Sequence, residues 1–279
     1  MRGISRKQTD PEGALDHRIA DYFPELVAVA LLPVLLWQGR VVRATVQRLP
    51  EPTDQPSGII PSQHQRPAPL SLLLIGESPV AGIGVCAHAQ GIAAATARAL
   101  QARYQRTIAW CAKGQNGATV AQAMQDLTPY LHTEHVDLVC VAFGVNDSTA
   151  FRRLGTWRRD MERLIDQLQS RLSPHHIVLS GVPPMAHFTA LPWPLRAVLG
   201  LKARALDRVL ADIAAKRPRI THAPFPRTLL DPQLMASDGY HPAVEGCVMW
   251  AGILADACPA PDEMPTPQQS LPLPQCFGR

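Results

Sequence analysis

The chain predicts an α/β domain in three layers, α/β/α, around a mostly parallel sheet. Two patterns carry that expectation. From residue 70 onward, short apolar runs alternate with longer segments of helical spacing, the order of repeated βα units. Runs such as Val136–Phe143 (VDLVCVAF) are apolar almost throughout, as strands covered on both faces are. Composition agrees: of 279 residues, 46% are apolar and 18% charged, which excludes wholesale disorder and is ample for a full core.

Taken in order, Leu26–Trp37 (LVAVALLPVLLW) is an apolar run holding Pro33 and followed by Arg40, Arg43 and Arg48. It is short of the roughly 20 residues a spanning helix needs, and no secretory cleavage site follows it. An apolar stretch followed by a basic one suits a helix lying on an anionic membrane surface, so residues 22–48 are a candidate for peripheral membrane contact. A helix packed on the main domain and a short span are the alternatives. Residues 1–49 thus form an N-terminal apolar and basic segment, residues 50–69 read as a Pro-rich linker, and residues 258–279 as a Pro-rich disordered tail.

Between the flanks, residues 70–257 form the main domain. Strands are expected at Leu70–Ile75, Thr107–Ala112, Val136–Phe143, Ile177–Ser180 and, weakly, Ile220–His222. Helices are expected at Gly91–Gln105, Thr119–Leu131, Thr156–Leu172, Leu195–Lys216 and Pro242–Ala257. The result is a flavodoxin-like sheet, whose ligands sit at the carboxyl ends of its strands.

Several function classes are disfavoured. The formal charge of +4 comes without a basic stripe, and aromatics are only 5%, so no nucleic-acid partner is expected. Neither a Walker-type nor a dinucleotide-type glycine pattern is present. No metal spacing appears, and no cofactor is called for. Cys86, Cys111, Cys140, Cys247, Cys258 and Cys276 are scattered and read mostly as reduced thiols, which leans toward a reducing, cytoplasmic setting, peripheral to the inner face of the membrane if residues 22–48 make that contact. His132, His135, His175 and His176 read as surface or structural.

Chemistry concentrates just after the strands. Ser78 follows the first in Gly76-Glu77-Ser78, where a hydroxyl can act as a nucleophile or merely cap a helix. Gly117 follows the second, in a turn able to present a backbone N–H to an oxyanion. Asn146 follows the third; its amide donates without titrating. Asp147 reads as a cap for the turn that follows. Asp238 precedes His241 by three residues, so its carboxylate can reach the imidazole Nδ1 and leave Nε2 for a nucleophile. The segment Pro183–Leu201, with Met185, Phe188, Leu191, Trp193 and Leu195, is either an apolar lid or ordinary packing.

These residues resemble the SGNH-hydrolase superfamily, the GDSL-type esterases and lipases, over about residues 70–257. Ser78, Gly117, Asn146 and His241 match the four residues of the family's name in its order, and Asp238 matches its Asp three before the His. One departure is Glu77, where the family reads Asp. The resemblance implies a serine hydrolase: His241 takes the Ser78 proton, Asp238 orients His241, and the Ser78 amide, Gly117 amide and Asn146 side chain hold the oxyanion. An ester or thioester carbonyl is attacked to give an acyl-enzyme, released by water or, in an acyltransferase, by another acceptor. A non-catalytic membrane-associated domain is the rival class. The substrate is expected to be a small-molecule or lipid ester, with an apolar acyl group favoured; acetylated sugars stay open.

Overall fold

Six strands form one sheet. In chain order these are β1 (Ser57–Ile60), β2 (Leu70–Gly76), β3 (Ile108–Gly114), β4 (Leu138–Ala142), β5 (His176–Ser180) and β6 (Ile220–Ala223), arranged β1-β3-β2-β4-β5-β6. All neighbours are parallel except β1 against β3. This computed structural model describes residues 24–63, 68–131 and 135–264. The helices are α1 (Pro24–Ala30), α2 (Leu32–Thr45), α3 (Ile92–Tyr104), α4 (Val120–Asp126), α5 (Val145–Thr149), α6 (Leu154–Leu172), α7 (Leu195–Lys216) and α8 (Val244–Asp256).

The two-residue period of the strands divides the core in two. Leu73 and Ile75 of β2, Val139 and Val141 of β4, and Ile177 and Leu179 of β5 pack toward α4, α6 and α7. Leu70, Leu72 and Leu74, Leu138 and Cys140, and Val178 pack toward α3 and α8. Every residue of β2 is buried, which explains its unbroken apolar run. The three-layer, mostly parallel fold is as expected, and β2 lies between β3 and β4. Strand order reverses there, so the loops after β2 and β4 open a crevice.

Several boundaries differ from the sequence reading. Residues 57–60 of the expected linker form β1, which pairs antiparallel with β3 and extends the sheet by backbone bonding at its edge. The apolar N-terminal run is two helices, not one: α1 and α2 meet at an 89° bend, and Pro33 lies in the first turn of α2, where its missing N–H costs no helical bond. The helix expected over Thr119–Leu131 ends at Asp126 and continues as a single 3₁₀ turn, Thr128–Tyr130, which contains Pro129.

The expected C-terminal tail is held as far as Met264, which is buried. Tyr104 Oη donates to the Pro259 carbonyl at 2.8 Å and Arg103 Nη1 to the Cys258 carbonyl at 3.1 Å. Residues 265–279, with Cys276, lie outside the described residues, as do His132 and residues 22–23 of the candidate membrane segment. Cys86, Cys140, Cys247 and Cys258 carry free thiols, whereas Cys111 in β3 is disulfide-bonded.

Candidate active site

The loop after β2 is a tight turn in which the Val80 and Ala81 amides donate to the Glu77 carbonyl and the Ile83 amide to the Ser78 carbonyl. It holds the Ser78 hydroxyl at the carboxyl edge of the sheet. The end of β3 passes so close that a Cβ on Gly114, its last residue before the loop, would lie 2.0 Å from the Ala81 nitrogen, so only glycine fits there. Farther along that loop Gly117 has φ 76°, a left-handed conformation that glycine adopts without strain. Among the described residues, the N–H groups of Ser78 and Gly117 donate to no protein acceptor.

On the opposite side, the loop before α8 delivers His241. Its Nε2 lies 2.9 Å from Ser78 Oγ, and its Nδ1 lies 2.6 Å from Asp238 Oδ2. The other oxygen, Asp238 Oδ1, accepts from the Tyr240 amide at 2.9 Å and the His241 amide at 3.0 Å. Burial acts to raise the Asp238 carboxyl, but the bonds from the His241 ring and these two amides outweigh it and hold the group below its usual range. An ionised Asp238 accepts only, so His241 carries its proton on Nδ1 and presents a bare Nε2 to the Ser78 hydroxyl. The sequence-predicted trio of Ser78, Asp238 and His241 is thus joined by two hydrogen bonds in series.

Asn146 is the second residue of α5, just after β4. Its side-chain nitrogen donates at 2.6 Å to Glu77 Oε2 and at 3.2 Å to the Ala118 carbonyl, so both amide hydrogens have protein partners. Glu77 is the organiser of this corner. Beyond that bond, its carboxylate accepts from the Val145 amide on Oε1 and the Asn146 amide on Oε2, each at 3.0 Å. The longer acid that departs from the resembled motif therefore makes three bonds across the loops after β2 and β4. Burial pushes its carboxyl up to about 8, against the pull of the two backbone amides and with a further push from Asp147.

Asp147 does not cap its own turn, as the sequence suggested. Its Oδ2 accepts from the Val120 amide at 3.1 Å, tying the start of α4, just past Gly117, to the Asn146 loop. Its Oδ1 is buried without a partner, and burial raises the carboxyl to about 6.

Beside Ser78 and His241 lies a cavity of about 40 Å³ walled by Phe143, Phe188, Phe225, Leu229, Tyr240 and Trp250. Phe188 and Tyr240 meet edge to face at 5.0 Å. Sequence reading named Phe188 but missed the other five, which come from separate elements and share no spacing. The segment Pro183–Leu201 divides: Met185, Phe188, Leu191 and Leu195 are buried as ordinary packing, with Phe188 also in the cavity wall, whereas Trp193 is exposed. His135 pairs with Asp137 and His176 with Thr221, away from this site, in keeping with a structural role.

No curated protein sequence matches the chain. Among solved structures, it is similar to a lipase/acylhydrolase from Enterococcus faecalis, at 16% identity and TM-score 0.51, over 72% of this chain and all of that one. It is similar to TesA at 20% identity and TM-score 0.54, over 67% and 97% of the two chains. A family 3 carbohydrate esterase from Clostridium thermocellum gives 16% identity and TM-score 0.53, over 68% and 94%. These likenesses bear on the fold. The model of the GDSL-like lipase/acylhydrolase family matches residues 74–247, a span that holds Ser78, Gly117, Asn146, Asp238 and His241 and exceeds half the chain. The chain belongs to that family of the SGNH superfamily, and so to the ester-cleaving hydrolases.

Proposed function

We propose that the protein cleaves carboxylic esters through an acyl-enzyme on Ser78. The observation that carries this reading is the continuous chain Ser78 Oγ, His241 Nε2, His241 Nδ1, Asp238 Oδ2, with bonds of 2.9 and 2.6 Å. His241 Nε2 takes the hydroxyl proton as Oγ bonds to the ester carbon. The tetrahedral centre collapses, the carbon–oxygen bond to the alcohol breaks, and His241 returns the proton to the departing oxygen. Water then repeats the sequence on the acyl-enzyme, freeing the acid and Ser78.

The Ser78 and Gly117 amides, which donate to no protein acceptor among the described residues, are ready to receive the oxyanion. Asn146 joins them by exchanging its longer bond, to Ala118, for the substrate oxygen while Glu77 keeps the shorter one. That arrangement gives Glu77 the role of aiming the amide.

The cavity sets the acyl group. The space inside the apolar wall is about 40 Å³, small beside the several hundred Å³ of pockets for drug-sized ligands. That is room for a short apolar acyl chain of about two to four carbons, which narrows the aliphatic preference read from sequence.

Hydrolysis of p-nitrophenyl esters of increasing acyl length tests both points. The expected kcat/KM peaks at two to four carbons and falls beyond, and Ser78→Ala abolishes it on a folded protein. A rate that climbs steadily to twelve carbons contradicts the acyl pocket, and full activity in Ser78→Ala contradicts the nucleophile.

A further inference from the structure

Helix α2 packs by a narrow strip and leaves most of its apolar side chains outside. Leu35 and Gln38 are buried, with Leu31 and Val42 partly so. The rest of the α1–α2 pair turns Leu26, Val29, Leu32, Leu36, Trp37 and Val41 to the outside. Trp37 is 64% exposed, and Trp193, at the end of the segment that begins at the cavity wall, is 72% exposed. This many exposed apolar side chains on one helix pair of a globular domain mark an interaction surface.

The pair is fastened to the domain. Glu25 of α1 pairs with Lys202, which is fully buried in α7. The Gln38 side chain donates to the Trp193 carbonyl at 2.8 Å and accepts from the Leu195 amide at 3.1 Å, tying α2 to the chain at Trp193. Farther on, the Ser237 hydroxyl, next to Asp238, donates to Gln47 Oε1 at 3.1 Å, and Pro52 packs against Gly82. The chain leaving α2 therefore runs past the loops that carry Asp238 and Ser78.

Charge selects the occupant. Over residues 24–50 the only acid is Glu25, which Lys202 neutralises, whereas Arg40 and Arg43 in the last turns of α2, flanking Val41, and Arg48 after it are all exposed. Exposed tryptophans, aliphatic side chains and a following cluster of arginines are what the headgroup boundary of an anionic leaflet accommodates. Among the described residues no single helix is long and apolar enough to cross a membrane, and α1 and α2 qualify together only as a pair bent by 89°. We propose that α1, α2 and Trp193 form a docking face for an anionic lipid bilayer, which sets the mouth at the membrane surface and directs the enzyme to short-acyl esters presented there. The choice of substrate rests on the esterase reading; the docking face does not.

The tryptophans provide the test. The chain has five, and Trp110, Trp157 and Trp250 are buried, so quenching by brominated acyl chains reports on Trp37 and Trp193. The full chain is mixed with brominated phosphatidylcholine vesicles, with and without one-third phosphatidylglycerol. Expected are quenching on the anionic vesicles, its loss at high salt, and a drop by about half in Trp37→Phe. Arg40→Gln with Arg43→Gln should weaken binding about 25-fold, at about fivefold for each arginine near an anionic leaflet. Leu36→Glu with Trp37→Glu should remove binding while fluorophosphonate labelling of Ser78 persists; lost labelling with intact docking would instead count against the esterase reading alone. Equal binding to neutral vesicles, no quenching, or a dimer that the Leu36→Glu, Trp37→Glu variant turns into a monomer overturns the proposal.

Discussion

Asp238 and Glu77 each accept three hydrogen bonds, yet their surroundings drive them in opposite directions. Asp238 is held below its usual range; Glu77 is pushed up to about 8. The number of donors is the same and both groups are buried, so the neighbouring groups decide. Asp238 bonds to the His241 imidazole as well as two amides, whereas Glu77 has only amide donors and Asp147 close by. One carboxylate stays ionised and fixes a tautomer. The other holds two loops together at a cost that falls on the folded state.

The largest effect should come from breaking the Asp238 side. Asp238→Asn offers His241 Nδ1 an amide that can turn its N–H₂ toward the ring, favouring the tautomer with the proton on Nε2. A fall in kcat of about 10⁴ is expected, as removal of that charge causes in comparable triads. Steady-state kinetics with a short ester check it, and a loss below tenfold contradicts the role.

Glu77→Gln should cost less, about 10–10² in kcat, because it disturbs only the aim of one oxyanion donor. Its amide cannot accept from both Val145 and Asn146 without facing one N–H with another. Ionisation near 8 frees both Glu77 oxygens to accept, so wild-type kcat should rise as pH passes 8, and this limb should vanish in Glu77→Gln. A limb that persists in the variant assigns it to another group.

The smallest effect is thermodynamic. The Asp147 carboxyl is raised from 3.8 to about 6, so the folded chain holds its proton longer than the unfolded chain. Stability is therefore lost as pH climbs between those two values and stays lost above them. Asp147→Asn keeps an oxygen for the Val120 amide and removes the charge. Its melting temperature should match wild type near pH 3.5 and exceed it from pH 6 upward, by about 2–4 °C for each kcal/mol relieved. Thermal melts across pH check the sign, and lower stability at pH 8 contradicts it.

The same contrast explains what could be read in the sequence. Asp238, Tyr240 and His241 lie within four residues, so one turn joins them and the spacing displays the contact. Ser78, Gly117 and Asn146 each follow a strand, and the parallel sheet brings such positions to one edge. Glu77 and Val145, or Asp147 and Val120, are far apart in the chain and meet only through strand order, which no local pattern records. The cavity wall is likewise assembled from single residues of many elements. The four-residue β1 was hidden because its evidence is backbone pairing with β3, and the α1–α2 bend because Pro33 reads equally as a helix break or a first-turn residue.

The central claim is that Ser78 is a nucleophile activated by His241. Reaction of the folded full-length protein with a fluorophosphonate, followed by mapping of the modified peptide, tests it most directly. A single phosphonylated residue at Ser78 is expected, with labelling slowed at least a hundredfold in His241→Ala. Modification elsewhere, or unchanged labelling without the imidazole, would contradict it.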